Sequence, residues 1–126
     1  MADRSGQDGQ DGQDGPDIRD DRAAGKLLAY QDGAAAGVIV YFVMDGAPAA
    51  LVAVHTVVEP GHEGKGIGSA LVREFYAMAG RDGVPVVPLC PYAAKWASRH
   101  PDEAPQAPAA LVERAKEQLA SRPGLY

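Results

Sequence analysis

Glu63, Gly64, Lys65, Gly66, Ile67, Gly68 and Ser69 form the segment of this chain best suited to chemistry, because glycine recurs at every second position just before an amphipathic run. Glycine accepts positive φ and lets a bulky group approach the backbone. The N–H groups that open a helix lack intrahelical partners and lie at the positive end of its dipole. Together these features describe a cradle for phosphate or diphosphate. The same glycines would also serve a tight strand-to-helix turn that needs them only for packing. Two familiar phosphate loops fit poorly. A Walker loop has Ser or Thr directly after its Gly-Lys pair, to hold magnesium; here Gly66 follows Lys65, and Glu59 stands in the place of the first glycine. A dinucleotide fingerprint has Gly-x-Gly-x-x-Gly near the start of a βαβ unit; here the spacing is Gly64-x-Gly66-x-Gly68, with no suitably placed acid near residue 84.

The elements that must hold this loop can be read from hydropathy period and turn residues. A short strand is expected over Lys26–Gln31, followed by the hairpin signal Asp32-Gly33. The β-branched and aromatic run 38–44 is a second strand, closed by Asp45-Gly46, and 49–58 is a third, ended by Pro60-Gly61. Three consecutive antiparallel strands are the economical reading. The period then changes: Ile67, Leu71, Val72, Phe75, Met78 and Ala79 recur at helical spacing, which predicts a helix over 67–81 that Asp82-Gly83 stops. A buried strand follows over 84–89, where Pro85 and Pro88 imply an edge or a splayed end. A short helix over 92–100, a proline-rich linker over 101–108 and a polar helix over 109–121 complete the chain. Strands followed by strand–helix–strand–helix give an α+β fold with a mixed sheet.

Length and composition narrow the function. The 126 residues fit one domain, and the net charge of −5 is concentrated at the N-terminus. Residues 1–22 carry seven acids against three bases, whereas the remainder carries ten against nine. The folded part is nearly neutral and lacks the basic footprint of a nucleic-acid binder. The Gly-Gln-Asp repeat over 6–15 has no apolar side chain, so 1–22 is expected to be a disordered acidic tail. No apolar run approaches membrane-spanning length, and the polar start does not read as a leader, so no membrane partner is expected. The single cysteine, Cys90, excludes an internal disulfide and fits a reducing cytoplasm. No zinc-ligand spacing occurs, so no metal is expected.

In order, the chain carries His55-Thr56-x-Val58, Gly64-x-Gly66-Ile67-Gly68-Ser69-x-Leu71-Val72, Pro88-Leu89-Cys90-Pro91-Tyr92 and His100-Pro101. From about residue 26 to 103 this series resembles a small stand-alone subfamily of the GNAT superfamily of N-acetyltransferases. The resemblance implies a GNAT-like mixed, mostly antiparallel sheet with splayed parallel strands flanked by helices. It divides the chain into the tail (1–22), an acyl-CoA-binding domain (23–103), and the linker with C-terminal helix (104–126). Glu63 stands where the family pattern has Gln or Arg, which removes a side-chain donor to phosphate; most of the family's grip comes from backbone N–H groups, here about 64–69.

The resemblance further implies acetyl-CoA as cosubstrate. Its pantetheine arm would pair with the backbone of Val57 and Val58, and its diphosphate would lie on Gly64, Lys65, Gly66, Ile67, Gly68 and Ser69. Lys95, four residues from Arg99 on one helix face, would meet the 3′-phosphate, or else simply be solvated. Direct attack by a primary amine then needs a base, for which His55 is suited by its ordinary pKa near neutrality. It also needs a proton for the departing thiolate, from Cys90 or Tyr92. Cys90 could instead take the acyl group as a nucleophile or be a small buried hydrophobe, and His55 could be a hydrogen-bonded core residue. The small domain suits a protein lysine as acceptor, acting as a monomer or weak dimer. A coenzyme-A-binding module with little catalysis is the alternative.

Overall fold

A computed structural model describes residues 15–122. Its elements are β1 (Asp17–Asp21), β2 (Lys26–Gln31), β3 (Ala34–Val43), β4 (Leu51–Val58), α1 (Ile67–Asp82), β5 (Val86–Pro88), α2 (Pro91–Arg99) and α3 (Ala109–Ala120). The strands form one sheet in the order β1-β2-β3-β4-β5, with antiparallel neighbours except for the parallel pair β4·β5. The fold is the α+β mixed sheet expected from the element order.

Asp32 and Gly33 both take positive φ, 54° and 82°, which matches the turn to the right-handed twist of β2 and β3. The one unexpected strand is β1, inside the segment read as tail. Residues 1–14 lie outside the described residues, but Asp17–Asp21 adds an edge strand to β2, so the tail boundary at 22 is corrected. Its charged sequence hides it from hydropathy patterning and also suits an edge, where charge opposes pairing with other chains. Tyr41 on β3 donates its phenol to Asp20, and Arg22 pairs with Asp82 at the end of α1 at 3.0 Å. These contacts tie the edge strand to the domain.

Two apolar layers flank the sheet. On one face Ile67, Leu71, Val72 and Phe75 of α1, with Ala93 and Trp96 of α2, pack on Leu27, Ile39, Tyr41, Leu51 and Ala53. On the other, Leu111 and Ala115 of α3 cover Phe42, Met44, Val52, Val54 and Val87. The C-terminal helix therefore packs on the sheet, held also by Gln118 and Arg122, which bond Asp45. Gly37 on β3 sets how closely α1 can approach. A Cβ there would lie 2.9 Å from Ile67 Cγ2 and 3.0 Å from the carbonyl oxygen of Val57. Only a bare Cα lets the first turn of α1 sit against β3 and β4, and that turn carries the glycine loop.

Candidate active site

The site begins where β4 and β5 part. Their pairing covers only Leu51–Ala53 against Val86–Pro88. Both Leu89 and Cys90 then donate their backbone N–H to the carbonyl of Ala53, each at 3.0 Å. Two donors converging on one acceptor mark the point of divergence: the chain turns into α2, and β4 continues alone to Val58. Pro88 supports the break, since it has no N–H to continue the ladder. The strand expected over 84–89 is thus only Val86–Pro88.

Beyond Ala53, β4 has a neighbour on one side only. Glu59 donates to the Ala36 carbonyl at 2.8 Å, and the Val57 carbonyl faces Gly37 of β3. Backbone groups alternate in direction along a strand, so Thr56 and Val58 turn theirs to the open edge. The expected pairing of an extended ligand with Val57 and Val58 is corrected accordingly. The backbone of Val58, like that of Thr56, is free at the open edge, whereas that of Val57 faces β3. The side chain of Val57 is 47% exposed.

At the far end of this edge lies the loop. Gly61, Gly64 and Gly66 take positive φ of 90°, 79° and 78°. Gly66 is the N-cap of α1 and offers no side-chain cap, and the first turn holds no acid. The first intrahelical bond runs from Ala70 to Gly66. The N–H groups of Ile67, Gly68 and Ser69 therefore precede the helical ladder, and together with the dipole they form an anion site. Glu63 does not intrude: its carboxylate accepts the Gly61 N–H at 3.0 Å. Lys65 is exposed beside the loop.

Helix α2 closes the other side. A Cβ on Gly68 would lie 2.6 Å from the Tyr92 hydroxyl, so that glycine makes room for the tyrosine, whose phenol hangs over the first turn of α1. Ser69 accepts a hydrogen bond from the Trp96 indole at 2.9 Å, fixing the two helices together. Trp96 stacks on His100 at 4.1 Å, and His100 Nδ1 bonds the Trp96 carbonyl at 2.8 Å. Ser69, Tyr92, Lys95 and Arg99 line a cavity of about 200 Å³ against this stack. Of the predicted residues, Gly68, Ser69, Tyr92 and Lys95 are thus brought together, at the helix start that Gly66 caps. Sequence reasoning missed Gly37, gave Thr56 no role beyond its place in the motif, and assigned Trp96 and Ser69 no bond to each other.

Cys90, 4% exposed, caps α2 and donates its thiol to Thr56 Oγ1 at 3.3 Å. Cross-strand partners share a face, and Thr56 pairs with buried Ile39 on the α1 side. His55 pairs with half-buried Val40 on the opposite face and is exposed, and its imidazole has no hydrogen-bond partner among the described residues. Cys90 and His55 therefore flank the free stretch of β4 from opposite faces. No group of three or more metal-ligating side chains occurs among the described residues. No helix there is long and apolar enough to cross a membrane.

Comparison with known proteins agrees with this geometry. No curated protein matches the sequence. A solved structure, described as a ribosomal-protein-alanine N-acetyltransferase from Brucella melitensis biovar Abortus 2308, is similar in fold. It matches with a TM-score of 0.51 at 23% identity, over 66% of this chain and 62% of that one. The family model of the GCN5-related N-acetyl-transferases matches residues 26–106, from β2 through the segment that follows α2. That match takes in the parted strands, the glycine loop and both sides of the cleft, and the chain belongs to this family of acyl-transferring enzymes.

Proposed function

We propose that the protein transfers an acetyl group from acetyl-CoA to a primary amine, with a protein lysine as the acceptor class its small, open domain suits. The observation that carries this reading is the continuous path from the open edge of β4 to the uncapped start of α1. Its residues fit the coenzyme. Thr56 and Val58 offer strand-like pairing to an amide-bearing arm. The amides of 64–69 offer a diphosphate site, and Lys95 and Arg99 lie beside it for a further phosphate. Lys65 adds positive charge at the loop.

Acetyl-CoA would supply the acyl group as an activated thioester. The residues of the chain then handle protons. His55 takes one from the ammonium of the acceptor, leaving a nucleophilic amine on its face of β4. As the new C–N bond forms and the C–S bond breaks, the thiol of Cys90 gives its proton to the departing thiolate on the other face. The second proton, shed by the new amide nitrogen, restores the Cys90 thiol through solvent. Thr56 orients that thiol. Tyr92, held over Gly68, serves the diphosphate end. Placing base and acid on opposite faces of one strand suits a ternary complex, in which positioning contributes much of the rate.

The test is thiol release from acetyl-CoA in the presence of amines, including lysine-containing peptides. Amine-dependent release that falls in Cys90→Ala and His55→Ala supports the reading. Tight coenzyme binding without release for any amine would favour the binding module instead.

A further inference from the structure

Helix α2 has a second side. Its positions 92, 95 and 99 face the proposed coenzyme cleft, whereas Ala94, Ala97 and Ser98 lie roughly opposite by helical period. Those three, with the segment that follows α2, line a half-open hollow of about 410 Å³. Pro101 and Pro105 form the outer wall, and Tyr76 of α1 lines the inner side. That volume falls in the range of small-molecule sites, which combine apolar walls with a few polar groups.

Tyr76 distinguishes this hollow from a packing gap. The residue is 7% exposed, yet its hydroxyl has no hydrogen-bond partner among the described residues and retains contact with solvent. It therefore lines the hollow as a donor that no acceptor among the described residues satisfies. Burial raises the Tyr76 phenol to about 12; like any tyrosine it is protonated at neutral pH and available as a donor. Gln106 at the rim brings an amide with both donor and acceptor. None of the lining residues is charged. An ionic ligand would find no counter-charge there to offset the hydration it gives up. Proline faces and the Tyr76 ring favour a flat, apolar body.

We propose that this cavity is a binding site for a small, uncharged, planar ligand carrying a carbonyl, which accepts the Tyr76 proton and bonds the Gln106 amide. The inference is independent of the acyl-transfer reading, because the cavity lies behind α2 and shares none of its lining residues with the cleft.

The chain has one tryptophan, Trp96, whose ring stacks on Tyr76 with centroids 6.0 Å apart. Its indole resonance is therefore a single, local reporter. Titrating benzamide into the full chain should shift that resonance saturably, whereas benzoate and benzylamine, of similar shape but charged, should not. Tyr76→Phe keeps the ring and removes the hydroxyl, and should weaken benzamide by about tenfold. Ala97→Leu fills the cavity from α2 and should abolish the shift; thermal melting confirms that both variants are folded. Absence of a saturable shift up to about 10 mM benzamide would overturn the proposal. So would equal binding of benzoate, or a shift that persists unchanged in Tyr76→Phe and Ala97→Leu, which would place the probe on the other side of Trp96.

Discussion

Gly68 and Tyr92 provide a sharp test of how the cleft is assembled. A Cβ at position 68 would sit 2.6 Å from the Tyr92 hydroxyl and 2.8 Å from the ring carbon that bears it. Two effects oppose each other in Gly68→Ala. Alanine in a helix gains about 0.5–1 kcal/mol over glycine. Displacing the tyrosine costs about 1–2 kcal/mol, at the low side of overpacking, because the ring is 45% exposed and can swing toward solvent. Gly68→Ala alone should therefore be destabilised by about 0–1.5 kcal/mol relative to the parent. With Tyr92→Ala already present, the clash is gone and the same change should stabilise by about 0.5–1 kcal/mol. The cycle predicts a coupling of roughly 1–2 kcal/mol, measurable by urea unfolding of the four proteins. In a domain of this size about 1 kcal/mol corresponds to a midpoint shift of about 4–8 °C. Additive effects, within about 0.3 kcal/mol, would show that the phenol does not rest on the first turn of α1.

Other substitutions probe other parts of the account. Gly66→Ala meets no atom within 4 Å but must hold φ near 78°; it should cost about 1–2 kcal/mol and remove the rise in melting midpoint produced by coenzyme A. Ser69→Ala leaves the Trp96 indole without its acceptor, and should lower stability by about 1–2 kcal/mol with a shift in Trp96 emission. The phenols of Tyr41 and Tyr76 are raised to about 12, both chiefly by burial and Tyr41 also by Asp20. In the folded state each keeps a proton that the unfolded state gives up from about pH 10. Stability should therefore be unaffected below pH 10 and fall between 10 and 12, by up to about 1.4 kcal/mol per pH unit for each phenol. Thermal melts at pH 9 and 11 measure this, and a doubly Phe-substituted chain should lose most of the slope.

The antiparallel strands, α1 and the glycine loop were legible because each has a strong local signature: alternation, Asp-Gly turns, a helical apolar stripe, glycines at every second place. The resemblance, placed at residues 26–103, agrees closely with the family match at 26–106. What escaped was non-local. Strand β1 is charged at every position but Ile18 and exists because β2 offers an edge. Gly37 reads as an ordinary strand residue until α1 is packed on it, and only then does its missing side chain matter. The shift from Val57 to Thr56 at the open edge depends on the phase of β3·β4 hydrogen bonding, which a bulge near Val40 and Tyr41 resets. Trp96 gave no sign that its indole reaches Ser69 across two helices.

Binding of coenzyme A, compared between the parent chain and Gly66→Ala and followed by a structure of the complex, tests the central claim most directly. The account predicts saturable binding that weakens at least tenfold in the variant, with the diphosphate on the amides of 64–69 and the pantetheine arm along Thr56 and Val58. A complex holding the diphosphate away from the start of α1, or equal affinity in the two proteins, would contradict it.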